Sequence, residues 1–484
     1  MSDEFDYYAI LGVPQSASDS VIRDAFAKSL SQFPADVNKQ ENPAYERIML
    51  AYSVLSDPVR RETYDSLLAE TAVSPLQVTI QTSRDQLPIS ESPQLVYLLV
   101  NVNPPESEIQ TSQPINLSLV IDRSTSMKGE RLEYIKSALE LLINKLSPED
   151  IISVISFSDR ADVVIPSQPV ADKKSLIFKI RSIYTSGGTE IFQGLNAGMK
   201  ELRQVNLTQY NNHLILLTDG HTYGDADQCL SLAQQAAKLG IGYSAFGLGS
   251  EWNDQFLDQL VSPSGGQSQY IENPAQILDY LQRRISGLGT IYAHDLRLSM
   301  EFPKFITPKF GFKLHPFAQP VTVDSDELKL GNIEGRHPLS FLLELNIEPQ
   351  KMENRLTLSF NFTTSQPQQS FKHRHQITVL ENVAPLPPPT EIVKAVRLLN
   401  MYRMNEKVLD EVDAGQLESA TKRMKHLTTR LLEAGQTRLA QQAYLEGERL
   451  SNLGELSPEG RKKLKYGTRA LLAQTIINLD LDEK

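Results

Sequence analysis

Ile115-Asn116-Leu117-Ser118-Leu119-Val120-Ile121-Asp122-Arg123-Ser124-Thr125-Ser126 decides the reading of this chain: an apolar run stops at a carboxylate, and two hydroxyls follow at two-residue spacing. A strand buried on both faces of a parallel sheet reads as a near-continuous apolar run. Ligands of open α/β sheets gather beyond the carboxyl ends of such strands. Asp122, Ser124 and Ser126 are therefore expected on one loop at the mouth of a sheet, offering only oxygen. Mostly neutral oxygen donors suit a hard cation such as Mg²⁺. The same residues could instead cap the helical run that begins near Glu130, a position Asp and Ser favour.

Two further segments extend the pattern. Ser186-Gly187-Gly188-Thr189 places another hydroxyl just before a helical stretch, and Leu214-Ile215-Leu216-Leu217-Thr218-Asp219-Gly220 is a second apolar run ending in a carboxylate. In this order, on alternating elements, the segments resemble the metal-ion-dependent adhesion site of von Willebrand factor type A (vWA) domains. The resemblance implies Mg²⁺ (or Mn²⁺) held directly by Ser124, Ser126 and Thr189, with Asp122 and Asp219 acting through bound water and orienting those ligands. It implies a binding rim, here Gly188, Glu190 and His221, and a protein partner that offers an acidic residue to the metal. Thr125 departs from the glycine that usually separates the serines, leaving every oxygen donor in place.

A length of 484 residues, 40% hydrophobic and 22% charged, describes ordinary globular protein of roughly two to four domains. The net charge of −11 argues against general nucleic-acid binding, which draws on basic surface. No apolar run approaches the roughly 20 residues that span a bilayer. The acidic start (Asp3, Glu4, Asp6) is unlike a secretory signal, so a cytoplasmic protein is expected. Cys229 is the single cysteine, which excludes internal disulfides and Cys-based zinc sites; it is expected to pack near a helix start. His373 and His375 are expected as solvent-facing strand residues. No GxxxxGK loop, HExxH or Ser/His/Asp order occurs, and His221 is the only histidine near the site, so no enzymatic activity is expected.

Residues near the start carry helical spacing, with Val21, Ile22, Ala25, Phe26 and Leu30 in one helix and Tyr45, Ile48, Met49, Tyr52 and Leu55 in another. Asp6-Tyr7-Tyr8-Ala9-Ile10-Leu11-Gly12-Val13, Ala51-Tyr52-Ser53-Val54-Leu55-Ser56-Asp57-Pro58 and Arg61-Glu62-Thr63-Tyr64-Asp65 resemble the J domain of co-chaperones. That family carries His-Pro-Asp between these helices to trigger a heat-shock chaperone. Here Pro34-Ala35-Asp36 stands at that place and keeps only the aspartate, which implies a weak or lost chaperone contact.

Period-two stretches flank the helix–strand alternation: Leu76–Ile80 and Gln94–Val102 before it, and Leu296–Met300, Leu339–Leu345, Leu356–Phe360 and Ile377–Val379 after it, with Gly331-Asn332 as a turn cluster. Beyond a proline-rich connector the chain reads helical, and segments such as Ala434-Gly435-Gln436-Thr437-Arg438 resemble the tail of bacterial vWA proteins with flanking β-strands. The basic run Arg461-Lys462-Lys463-Leu464-Lys465 is expected as a solvated helix face. The expected organisation is mixed: a J-like helical domain (1–72), a first sandwich part (73–113), a doubly wound vWA domain (114–290) inserted in that β-sandwich, a second sandwich part (291–383), a linker (384–390) and a helical bundle (391–484). Two separate small β units are the alternative to one sandwich. The function implied is a metal-dependent interaction or scaffold protein. The alternative is a co-chaperone that delivers vWA-selected clients to a heat-shock chaperone.

Overall fold

The computed structural model describes residues 7–13, 17–31, 43–58, 60–61, 64, 76–104, 113–221, 224–323, 327–335, 338–365, 368–384 and 386–477. The chain forms two compact units, residues 1–75 and 76–484.

The first unit contains α1 (Tyr7–Leu11), α2 (Asp19–Leu30) and α3 (Pro43–Leu55). Their helical-period apolar residues meet in a core of Tyr8, Leu11, Ala17, Ile22, Ala51 and Leu55. Phe26 stacks on Tyr52 with ring centroids 3.8 Å apart. Arg61 ties the chain beyond α3 back to this core, donating to the Tyr8 hydroxyl at 2.9 Å and the Ala17 carbonyl at 2.7 Å. Pro34, Ala35 and Asp36 lie outside the described residues.

The second unit opens with β1 (Gln77–Thr82), β2 (Gln86–Pro88) and β3 (Gln94–Asn103). An α/β block follows: β4 (Ile115–Asp122), α4 (Glu130–Lys145), β5 (Ile151–Phe157), β6 (Ala161–Pro169), α5 (Lys173–Arg181), α6 (Ile191–Leu202), β7 (Asn211–Thr218), α7 (Ala226–Lys238), β8 (Gly242–Leu248), α8 (Asp254–Val261), β9 (Gln267–Ile271) and α9 (Ile277–Leu288). Then come β10 (Ile291–Glu301), β11 (Ile306–His315), β12 (Gln319–Val321), β13 (Glu327–Glu334), β14 (Leu339–Ile347), β15 (Asn354–Ser365) and β16 (Gln368–Leu380). Helices α10 (Thr390–Asp413), α11 (Leu417–Glu433), α12 (Thr437–Leu453) and α13 (Pro458–Ile477) complete it.

The block is a sheet of order β6-β5-β4-β7-β8-β9, parallel except for the edge strand β6. Every residue of β4, β5 and β7 is buried, because helices cover both sheet faces. This explains their unbroken apolar runs. The chain enters at β4, builds outward through β5 and β6, then returns to β7 on the other side of β4. The direction of winding thus reverses between β4 and β7, where α/β sheets open a crevice for ligands.

The flanking strands form two sheets, β1-β3-β14-β11-β12 and β13-β10-β15-β16-β2. Each mixes strands from before and after the block, so one sandwich carries the block as an insertion, and the two-unit alternative is wrong. Antiparallel pairing of β3 with β14 sets Leu98 against Leu343 and Val100 against Phe341 in a shared core. Gly331-Asn332 is not a turn: it lies inside β13. Gly331 has φ +87, and an added Cβ would meet the Gly265 carbonyl oxygen at 2.9 Å, so glycine here lets the sandwich approach the block's backbone. The helical tail touches one sheet of the sandwich and the α/β block. On α10, Ile392, Ala395, Leu399 and Tyr402 pack against Leu99, Phe312, Leu314 and Leu342 of one sheet. On α13, Tyr466 joins the core of the α/β block.

Candidate metal centre

The site is assembled at the carboxyl ends of β4 and β7. Both oxygens of Asp122 are engaged: Oδ1 accepts from the Ser124 amide at 2.8 Å and Oδ2 from the Thr218 hydroxyl at 2.6 Å. Burial pushes its carboxyl up to about 6, against the lowering effect of those bonds, and the nearby Asp219 charge adds to the rise. Past Asp122 the chain is held by the Arg123 amide on the Phe157 carbonyl at 2.8 Å and turns through a short 3₁₀ segment, Thr125–Met127. The Ser124 and Ser126 hydroxyl oxygens stand 3.0 Å apart, and Ser126 donates to Asp219 Oδ1 at 2.7 Å. Ser124 is buried while Ser126 is exposed, so the cluster opens to solvent on one side.

The capping reading fails here. Gly129 takes the N-cap position of α4, and Ser124 makes no side-chain capping bond. The glycine loop is instead tied to this segment. Thr125 donates from its amide and hydroxyl to the Gly187 carbonyl at 3.2 and 3.0 Å, and the Ser186 amide donates to the Arg123 carbonyl at 2.8 Å. Thr125, the departure from the family pattern, therefore pins the loop. Gly187 has φ +74 and lies against Asp159 and Ser158, where a side chain has no room. The loop delivers Thr189 in a buried position, its Oγ1 3.1 Å from where a Cβ on Gly220 would stand. All five sequence candidates thus converge on one mouth.

Their chemistry fits a hard divalent cation: carboxylate and hydroxyl oxygens, with no nitrogen or sulfur donor. Among the described residues no group of three or more His, Cys, Asp or Glu side chains is placed to hold a metal ion, so hydroxyls are indispensable to a site here. Gly188 and Glu190 flank Thr189, and His221 follows two residues after Asp219; Gly188 and His221 are exposed, Glu190 half-buried. Three features were missed from sequence. Arg131, from the first turn of α4, pairs with Asp219 Oδ2. The Asp159 carboxylate accepts from the Gly188 amide at 2.8 Å. Arg123 pairs with Asp162 at 2.6 Å and lies 5.7 Å from the ring centre of Tyr184, which is 71% exposed at the rim. None has a local sequence signal, because each is defined by a partner on another element.

A second charged cluster corrects the reading of the basic run. Lys462 and Lys465 are buried, not solvated. Lys465 pairs with Asp254 and, at 3.1 Å, with Asp258, both on α8; Arg469 pairs with Asp258 at 2.5 Å. Lys462 donates to the Ser250 carbonyl at 2.7 Å and lies 4.9 Å from the ring centre of Trp252. His373 and His375 are also half-buried rather than solvent-facing, and burial lowers both below the usual histidine value. Cys229 is buried in α7.

Fold and site together define a vWA-bearing chain, and family models agree by segment. Residues 116–283 match the von Willebrand factor type A domain, residues 6–65 the DnaJ domain, and residues 390–474 the Sll0103-like, C-terminal alpha-helical domain. The chain therefore carries an N-terminal J domain, a vWA domain and an Sll0103-like helical domain. It is similar to the uncharacterized protein sll0103 of Synechocystis sp., 33% identical over 243 residues that cover 49% of this chain and 58% of that protein. Its beginning is similar to the chaperone protein DnaJ of Deinococcus proteolyticus, 48% identical over 63 residues, covering 12% of this chain and 20% of that one. The chain thus spans little more than half of the first relative and a fifth of the second. A solved von Willebrand factor type A protein from Catenulispora acidiphila shares the fold, with a TM-score of 0.64 at 15% identity over 82% of this chain and 96% of that chain. No helix among the described residues is long and apolar enough to cross a membrane.

Proposed function

We propose that this is a protein-interaction module whose vWA face holds Mg²⁺ or Mn²⁺ and presents it to a carboxylate of a protein partner. Ser124, Ser126 and Thr189 are the direct ligands. Asp122 and Asp219 would orient them and accept hydrogen bonds from water around the ion. The cation supplies positive charge at an open position, because the hydroxyls nearest to it are neutral. Gly188, Glu190 and His221 line the rim that would contact the partner around that position. One observation carries the reading: the Ser126 hydroxyl bonds Asp219 at 2.7 Å, joining loops 93 residues apart into one oxygen cluster that opens to solvent. A charge-assisted contact with the partner's acid would anchor a wider polar interface. The role is binding rather than catalysis, and the proposed setting is the cytoplasm. Affinity capture in Mg²⁺ and in EDTA tests it: binders should be lost on chelation, return with Mg²⁺ and be absent for Thr189→Ala. An identical set retained in EDTA would contradict it.

The J domain supports a second reading, since it is 48% identical to a DnaJ chaperone over 63 residues. With Pro34-Ala35-Asp36 in place of the trigger motif, we propose a docking module that does not stimulate a heat-shock chaperone. Robust ATPase stimulation by the unaltered chain would instead support a client-delivering co-chaperone.

A further inference from the structure

Away from the metal face, β3, α10 and α11 enclose a groove of about 880 Å³. Its lining includes Arg84, Arg397, Arg403, Lys407, Arg423 and Arg430 and, among the described residues, not one Asp or Glu, in a chain whose net charge is −11. Three of these cations are committed within the fold: Arg403 to Glu344 at 2.6 Å, Arg423 to Glu411 at 2.7 Å and Arg430 to Glu433 at 3.0 Å. Arg397 donates to the Glu433 carbonyl at 3.1 Å. Arg84 and Lys407 are exposed and form no ion pair among the described residues. Between the cations lies apolar surface. Leu95 is 51% and Val393 48% exposed, and Tyr97, Val396 and Met404 are half-buried beside them.

We infer that this groove docks an acidic peptide segment of a partner protein, with aliphatic side chains on the Leu95–Val393 floor and carboxylates on Arg84 and Lys407. Charge complementarity selects the occupant: exposed apolar floor beside cations that form no ion pair among the described residues matches a chain that alternates aliphatic and acidic residues. A nucleic acid would share the negative charge, but base stacking calls for exposed aromatic faces, and the lining offers only the half-buried Tyr97. The floor is concave and walled by helices, which suits a peptide better than a flat anionic membrane.

The test uses the full chain in EDTA, so that the proposed metal face cannot contribute, and a short fluorescein-labelled peptide of repeating Leu-Glu-Glu units. Fluorescence anisotropy should give saturable binding at low salt that weakens as salt rises. Arg84→Glu with Lys407→Glu should weaken it by about tenfold or more, each factor of ten being about 1.4 kcal/mol. Val393→Asp should do the same through the floor. Unchanged melting temperatures would show that these surface variants fold. No binding of the acidic peptide, equal binding of a Leu-Lys-Lys peptide, an undiminished affinity in the double variant, or a preference for oligothymidine or phosphatidylserine vesicles would each overturn the inference.

Discussion

Two acidic clusters of the α/β block are treated in opposite ways. At the mouth of β4, burial pushes Asp122 up to about 6, and its bonds come from a hydroxyl and an amide. On α8, burial alone would raise Asp258 too, but the Arg469 and Lys465 charges outweigh it and hold the carboxyl well below the usual range. Asp254 is held down in the same way by Lys465. On α8 the chain brings its own cations, from a helix 211 residues away. At the metal face it brings neutral hydroxyls; Arg131 reaches Asp219 through Oδ2 only, and Arg123 pairs with Asp162. That asymmetry supports reading the first cluster as a place for an external cation and the second as a clamp.

The largest effect should come from breaking the clamp. Arg469→Ala takes away one of the two cations on Asp258 and leaves Lys465 at 3.1 Å, a change that costs about 1.5–3 kcal/mol. Urea unfolding should show a lower midpoint, and a loss under about 1 kcal/mol would put the two clusters on an equal footing.

Next come the oxygen donors. Thr189→Ala and Asp219→Ala should each lower Mg²⁺ affinity by about 10–100-fold in calorimetry. Arg160→Ala, on an exposed turn beyond β5, should leave it unchanged. Equal affinities in all three would remove the ligand assignment.

Acid should separate the clusters further. Depressed carboxylates stabilise the fold fully above their unfolded value of about 3.9, and that stability is lost as pH falls through the lower folded values. Trp252, the single tryptophan, reports on the clamp because its ring centre lies 5.7 Å from that of Tyr466 on α13. Its emission should hold steady from neutral pH down to about 5 and change only below about 4. A transition centred near 5–6 would mean that Asp254 and Asp258 are not held by the tail's cations.

The smallest effect is expected at Arg131. Its side chain is partly exposed, so its pairing with Asp219 is worth about 0.2–1 kcal/mol. Arg131→Ala should raise Mg²⁺ affinity by up to about fivefold, that energy expressed as a ratio. A fall in affinity would make Arg131 a support of the site instead of a competitor.

Much of this was legible from residues alone, and the limits have physical reasons. β4 and β7 announced themselves because burial on both faces leaves no polar position, and the oxygen donors sit where those runs stop. The insertion could only be guessed from order, because strand partners such as Val100 and Phe341 are far apart in sequence. β6 escaped notice as an edge strand with half-exposed residues and no unbroken apolar run. The basic run on α13 was misread because a lysine beside lysines reads as solvated until its distant aspartates are known. Arg131 was invisible for the same reason: only the fold brings α4 to the end of β7.

The most direct measurement is the anomalous-difference map of crystals soaked in Mn²⁺. One strong peak is expected within bonding distance of the Ser124, Ser126 and Thr189 hydroxyls, lost in Thr189→Ala crystals. A clean map at that position, with Ser126 and Arg131 still bonded to Asp219, would contradict it.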